Sequence, residues 1–171
     1  MFAMRGLRFI VGVLMALALL SACNRQHAPG LEVGEAAPHL KTKTLSDVGG
    51  DITRLTTYRQ PDERMYQYSL DRALATGKPI FLEFATPGHC TPCDRQLQMI
   101  KSLQDKYEGQ AIFIHLDQYQ SPEAYIAYGV FGDPWTCVID SHGIVQYQQA
   151  GSMLYQEMEA QIQRVLPSKS W

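Results

Sequence analysis

Residues 78–93 read KPIFLEFATPGHCTPC, and the organisation of the chain follows from how that stretch is read. The apolar run over 80–85 predicts a buried strand. Beyond Cys90-Thr91-Pro92-Cys93, the residues Leu97, Ile100, Leu103 and Tyr107 recur at helical spacing until Gly109, so the cysteine pair opens an amphipathic helix. At such a junction the free N–H groups and dipole of the helix favour a thiolate on the first cysteine, lowering its pKa below the usual value of roughly 8.5. Cys90 is therefore the expected nucleophile. Two intervening residues in a first helical turn keep the sulfurs close enough to bridge, which lets Cys93 attack a mixed disulfide from beneath. Pro92 is tolerated in that first turn and stiffens it.

Outward from this centre the pattern alternates. Residues 39–57, HLKTKTLSDVGGDITRLTT, alternate polar and apolar side chains around Gly49-Gly50 and predict a hairpin. Over 62–76, Tyr66, Leu70, Ala73 and Leu74 share one helical face, and Gly77 ends it. AIFIHL over 111–116 predicts a second core strand, and Ser121-Pro122-Glu123 a helix start running to Gly129. Strands over 135–139 and 144–148 are joined by Asp140-Ser141-His142-Gly143 as a hairpin. A last helix, capped by Ser152, repeats Leu154, Met158, Ile162 and Val165 or Leu166. This order predicts an α/β domain over 31–167, with a mixed central sheet, helices on both faces and an extra N-terminal β-hairpin.

The 171 residues carry a formal net charge of −2, with 46% hydrophobic and 19% charged residues. That size suits one core. The charge gives no footprint for nucleic acid, and the apolar fraction is too high for a disordered chain. The longest apolar run, residues 9–20, is too short for a transmembrane helix. It follows Arg5 and Arg8 and precedes Leu20-Ser21-Ala22-Cys23, which makes residues 1–22 an expected export signal. Leu-Ser-Ala-Cys resembles a lipobox. The resemblance implies a diacylglyceryl thioether on Cys23, a lipid-anchored protein on the periplasmic side of a bacterial membrane, and a polar tether over 23–30. Asn24 after the lipidated position favours the outer membrane by the same resemblance.

The cysteine spacing is open to other chemistry. Zinc would need two further ligands, and His89, His115 and His142 are single and scattered; no metal site is expected. A purely structural bridge of this span closes too small a loop to stabilise much. Cys137, inside an expected strand, reads as a small buried hydrophobe.

KPIFLEFATPGHCTPC resembles the active-site strand and motif of the thioredoxin-like superfamily, and Tyr128-Gly129-Val130-Phe131-Gly132-Asp133-Pro134-Trp135 resembles that family's cis-proline segment. The residues before the first helix, LEVGEAAPHLKTKTL with Gly49-Gly50, are similar to the N-terminal hairpin of TlpA-like members. The resemblance implies a thioredoxin fold and a thiol:disulfide oxidoreductase of the bacterial cell envelope. Cys90 is then the attacking thiol, Cys93 the resolving thiol, and Pro134 the cis-proline of a substrate groove shared with Thr91, Pro92, Asp133 and Trp135. Asp133 stands where the family often has a small or β-branched residue, and its charge disfavours an adjacent thiolate and acidic substrates.

Glu83 lies near the family's buried acid, one residue further from Cys90 than expected. Buried, it would be a general base with a raised pKa; on an edge, it would be an ordinary surface carboxylate. His89 replaces the usual aromatic before the first cysteine and, protonated, would stabilise the Cys90 thiolate. Peroxiredoxin chemistry fails on the motif, because Glu83 and Pro87 stand where Pro and Thr are required. The resemblance implies thiol- or disulfide-bearing envelope proteins as partners, a membrane electron donor, and no cofactor beyond the Cys90–Cys93 disulfide itself. Pro92 and the N-terminal segment suggest a reductant. The alternative from another class is a soft-metal (copper) binding module using Cys90, Cys93 and His142.

Overall fold

The structure, a computed structural model, describes residues 30–167. The export signal over 1–22, Cys23 and most of the tether lie outside the described residues. Within them, no helix is long and apolar enough to cross a membrane.

Strand β1 (Ile80–Phe84) is central, flanked by β2 (Ile112–Leu116) on one side and β3 (Trp135–Ile139) on the other, with β4 (Val145–Ala150) outermost. β1 and β2 run parallel, while β3 is antiparallel to both β1 and β4. A parallel pair needs a crossover too long for a turn, and helix α2 (Thr91–Lys106) supplies it. Every residue of β1 and β2 is buried, which is why both read as unbroken apolar runs rather than as alternating ones.

The two-residue period of the strands sorts side chains between two cores. Phe81, Phe113 and Val138 face Leu97, Ile100 and Leu103 of α2 and Met158 and Ile162 of helix α4 (Tyr155–Val165). Ile80, Leu82, Phe84, Ile114, Cys137 and Ile139 face helices α1 (Leu70–Ala75) and α3 (Pro122–Ala127). The result is a mixed sheet covered on both faces. Each fully buried Leu, Ile or Phe contributes about 1.5–3 kcal/mol.

Three expectations are corrected. Residues 39–57 form no hairpin: they run through turns and a short 3-10 turn, Ile52–Arg54. Here three threonines, Thr42, Thr44 and Thr56, are turned inward alongside Val48 and Leu55, so the segment has no clean polar and apolar faces. Thr42 and Thr44 are each 1% exposed, the Thr42 hydroxyl accepting from the Leu70 amide and the Thr44 hydroxyl donating to Asp47. The expected helix over 62–76 is split into a 3-10 turn, Glu63–Tyr66, and α1. Tyr66, Leu70 and Ala73 are buried, but the two pieces serve different faces, Tyr66 packing on the α2 side and Leu70 on the α3 side. Finally, α4 is capped by Leu154 rather than Ser152, and Glu157 reaches back to accept from the Leu154 amide.

The first described segment is a strap along the start of β4. Gly34 donates to the Val145 carbonyl, Val145 donates to the Glu35 carbonyl, and Ala37 donates to the Gly143 carbonyl.

Candidate functional site

Because β1 and β3 are antiparallel and pair Phe84 with Trp135, the C-terminal end of β1 and the segment entering β3 lie at the same end of the sheet. The loop after β1 carries Cys90; the segment before β3 carries Pro134. Cys90 and Cys93 are joined in a disulfide across a Cα–Cα separation of 5.2 Å. Cys90 is the N-cap of α2, and its sulfur accepts a hydrogen bond from the Cys93 amide at 3.2 Å. The amide that satisfies a helix end here also points positive charge at the sulfur.

The two sulfurs differ in access. Cys93 is 0% exposed, while Cys90 is half-buried and its neighbours Thr91, Pro92 and His89 are exposed. The Asp133–Pro134 peptide is cis. Asp133 is half-buried and accepts from the Tyr125 hydroxyl at 3.0 Å.

Beneath the disulfide lies a polar row cut into the apolar core. Register places His115, Glu83 and Thr136 side by side across β2, β1 and β3, all on the α2 face. Glu83 is 1% exposed. One carboxyl oxygen accepts from the Gln96 side-chain amide at 2.8 Å and the other from the Thr136 hydroxyl at 2.8 Å. Burial pushes the Glu83 carboxyl well above the ordinary carboxylate range, against these two bonds, and the charge of Asp133 adds to the rise. Gln96 also donates to Thr136 and accepts from the Met153 amide at 2.7 Å, so its side chain ties α2 to β1, β3 and the lead-in to α4. On α2, Gln96 stands three residues after Cys93 on the same buried face, about 4.5 Å further along the helix axis.

His115 has its own partners. Its Nε2 faces the Ala85 carbonyl at 2.9 Å, and since a carbonyl only accepts, Nε2 carries the hydrogen; Nδ1 then accepts from the Tyr66 hydroxyl at 2.6 Å. Burial lowers the His115 pKa, against the bond to Ala85, and keeps the ring neutral.

The loop leading to Cys90 is held from outside. Thr57, at the surface, places its hydroxyl 2.6 Å from the Pro87 carbonyl and 2.7 Å from the Asp117 carboxylate. Asp117 is 0% exposed, and also accepts from the Thr57 amide at 2.8 Å and the Tyr119 amide at 2.9 Å. Asp117 therefore fixes the segment around Thr57 against the loop that carries Cys90.

Of the residues singled out from the sequence, Cys90, Cys93, Thr91, Pro92 and His89 share the N-terminal end of α2, with Glu83 below and Asp133 and Pro134 entering from β3. Trp135 is turned to the other face of the sheet, where it packs edge-on against Phe131 with centroids 4.9 Å apart and Phe131 is 87% exposed. Cys137 also lies on that face, 0% exposed, its thiol pushed up by burial; it cannot meet the Cys90–Cys93 pair through the sheet. His142 sits in the β3–β4 turn, at the opposite end of β3 from Pro134, so it cannot complete a metal site with the two cysteines. No group of three or more His, Cys, Asp or Glu side chains suited to a metal occurs among the described residues.

Sequence reasoning missed Gln96, Thr136, Asp117 and Thr57. Gln96 had a signal: it falls on the stripe 93, 96, 97, 100 that the helix buries, so a polar residue there needs a buried partner. Thr57 and Asp117 had none, being sixty positions apart in the chain.

No family model matches the chain, and no curated protein matches it. Among solved structures it is similar to the germline-specific thioredoxin Deadhead of Drosophila melanogaster, 19% identical, with a TM-score of 0.50 over 74% of this chain and 98% of that one. It is also similar to a malarial protein, 16% identical, with a TM-score of 0.48 over 52% of this chain and 97% of that one. The likeness to Deadhead shows that the fold is that of thioredoxin.

Proposed function

We propose that this protein is a thiol:disulfide oxidoreductase that reduces disulfides of partner proteins in the bacterial cell envelope, tethered there by a lipid on Cys23 in the manner of TlpA-like lipoproteins. The observation that carries the reading is the Cys90–Cys93 pair at the start of α2, with an accessible sulfur capping the helix and a buried one beneath it.

In the reduced protein the Cys90 thiolate attacks one sulfur of a partner disulfide. The partner's other sulfur leaves with the electron pair, and a mixed disulfide joins Cys90 to the partner. Cys93 then gives up its proton and attacks the Cys90 sulfur, so the partner's second cysteine leaves as a thiolate. The protein ends as the disulfide, the partner as the dithiol, and two electrons have moved. Glu83, bonded to Gln96 about one helical turn beyond Cys93, is the buried acceptor for the Cys93 proton. No organic cofactor is required. A dithiol donor at the membrane resets the pair by the same two steps in reverse.

Pro92 ahead of the second cysteine supports the reducing direction, and the lipobox-like residues 20–23 support an envelope location, with Asn24 favouring the outer membrane. The test is the equilibrium reduction potential of the pair against dithiothreitol or glutathione. A value near the −270 mV of thioredoxin bears the reading out; one near the roughly −120 mV of a strong periplasmic oxidant reverses the direction of electron flow. Replacing Cys90 with Ser should abolish both insulin reduction and mixed-disulfide capture, and unchanged activity would end the proposal.

A further inference from the structure

The segment that precedes Glu63 builds one wall of a groove beside the disulfide. Tyr58, Arg59 and Gln60 line it on one side, and Thr91, Asp94, Arg95 and Gln98 on the other, enclosing about 360 Å³. The α2 residues are spaced 91, 94, 95 and 98, which puts them on one exposed face of that helix, opposite the buried face that carries Cys93 and Gln96. The groove thus starts at Thr91, next to Cys90, and runs down the outside of α2.

Its walls are fastened together. The Gln98 side-chain amide donates to the Tyr58 hydroxyl and, at 2.8 Å, to the Gln60 side-chain oxygen. Lys101 donates to the Gln60 carbonyl at 3.1 Å. Thr57, one residue earlier, is held by Asp117 as described above. Tyr58 is 9% exposed, so it anchors the wall, while Arg59 and Arg95 are exposed. Among the described residues neither guanidinium takes part in an ion pair or a side-chain hydrogen bond. Asp94 is the acid of the lining, so the groove carries two arginines against one carboxylate.

The charge has a direction. Asp117 follows β2, so the Thr57–Gln60 wall lies on the β2 side of β1. Asp133 precedes β3, on the other side of β1. Cys90, at the end of the loop after β1, stands between a cationic groove and an anionic loop.

We infer that this groove binds a carboxylate-bearing stretch of the polypeptide whose disulfide Cys90 attacks, and that Asp133 repels the same stretch from the opposite side, so the two flanks set the direction in which the substrate chain lies. The inference rests on the oxidoreductase reading for what Cys90 does, but not for the binding itself. Arginine suits the task because its planar fork pairs two N–H groups with one carboxylate and it stays charged at any working pH.

The test uses the oxidised full chain and labelled cysteine-free decapeptides: one with two adjacent Asp or Glu, its Asn or Gln twin, and a Lys twin. Fluorescence anisotropy at low salt should show the acidic peptide binding about fivefold tighter than the neutral twin, as two exposed ion pairs allow, with the preference fading at high salt. The double variant Arg59→Ala/Arg95→Ala should lose that preference, and Arg59→Glu/Arg95→Glu should invert it towards the Lys twin. Equal binding of the acidic and neutral peptides, or a preference the arginine variants leave untouched, overturns the inference.

A parallel arm separates it from the oxidoreductase reading. With the reduced full chain and disulfide-linked versions of the same peptides, fast exchange without charge preference keeps the activity and removes the groove. A charge preference in anisotropy with no exchange on any peptide keeps the groove and removes the activity.

Discussion

At Glu83, burial and a like charge oppose ionisation and outweigh the hydrogen bonds from Thr136 and Gln96 that favour it. It is 1% exposed, and the charge acting on it is that of Asp133, of the same sign. In the unfolded chain the group loses its proton near the ordinary glutamate pKa of about 4.3; folded, it keeps the proton to higher pH. Across that window the native state binds more protons than the unfolded state, so this group makes stability fall as pH rises. Glu83→Gln holds the protonated shape without the titration. In urea melts the variant should gain on the wild type from about pH 5 upward, and parallel curves would mean that Glu83 ionises alike in both states. In the proposed mechanism the same substitution removes the acceptor for the Cys93 proton. Mixed-disulfide resolution at pH 7 should slow by about a hundredfold, the low end for positioned proton transfer, and captured partner should accumulate on Cys90. The sequence placed Glu83 in a strand but not on a face with a known cover. That answer needed the helix across from it: Gln96 and Thr136 make the site polar, and although the stripe marks Gln96 as buried, nothing in the sequence pairs either residue with Glu83.

At the scale of elements, single polar side chains fasten pieces that periodicity reads separately. Gln96→Leu would strand one oxygen of Glu83 and the Met153 amide, both buried, at about 1–3 kcal/mol for each unsatisfied group. A drop in the denaturation midpoint equivalent to about 2–6 kcal/mol is expected, and a change within the noise of surface substitutions would show that water or a shifted α4 lead-in replaces the amide. Asp117→Ala acts on the other fastening. Hydrogen exchange should speed at the Thr57 and Tyr119 amides, which lose their acceptor, while β1 keeps its protection because its ladders are untouched. Strands and long helices were legible because burial on one or two faces leaves a period in the sequence. The stretch over 39–57 was not. Gly49 and Gly50 both have positive φ, at 66° and 84°, as a hairpin turn would require, yet Gly50 donates back to the Leu45 carbonyl and closes a local turn. The flanking residues find partners in α1 and beside Tyr66 rather than in each other, and alternation cannot tell those outcomes apart.

For the molecule as a whole, the segment before α1 acts as a clamp with two ends. Its second end, around Thr57, is hydrogen-bonded to the loop that carries Cys90. Its first end runs along β4 and reaches the turn after α3, where Gly30 meets Gly129. A Cβ on Gly129 would stand 2.7 Å from the Gly30 Cα, and the residue has φ +66°. Backbone lies on both sides of that approach, so neither flexible side chains nor a rotamer change can relieve it. Gly129→Ala must therefore either push the strap away or unwind the turn, in addition to roughly 1–2 kcal/mol for the left-handed conformation. Gly129 also opens the loop that carries Asp133 and Pro134 into β3. The substitution should lower the thermal midpoint and expose residues 30–37 to limited proteolysis, and it should weaken partner capture by Cys90 because the loop opposite the disulfide loses its seat. If the midpoint falls and the strap is cleaved while capture is unaffected, the strap serves stability alone, and the loop before Pro134 is held by β3 without it.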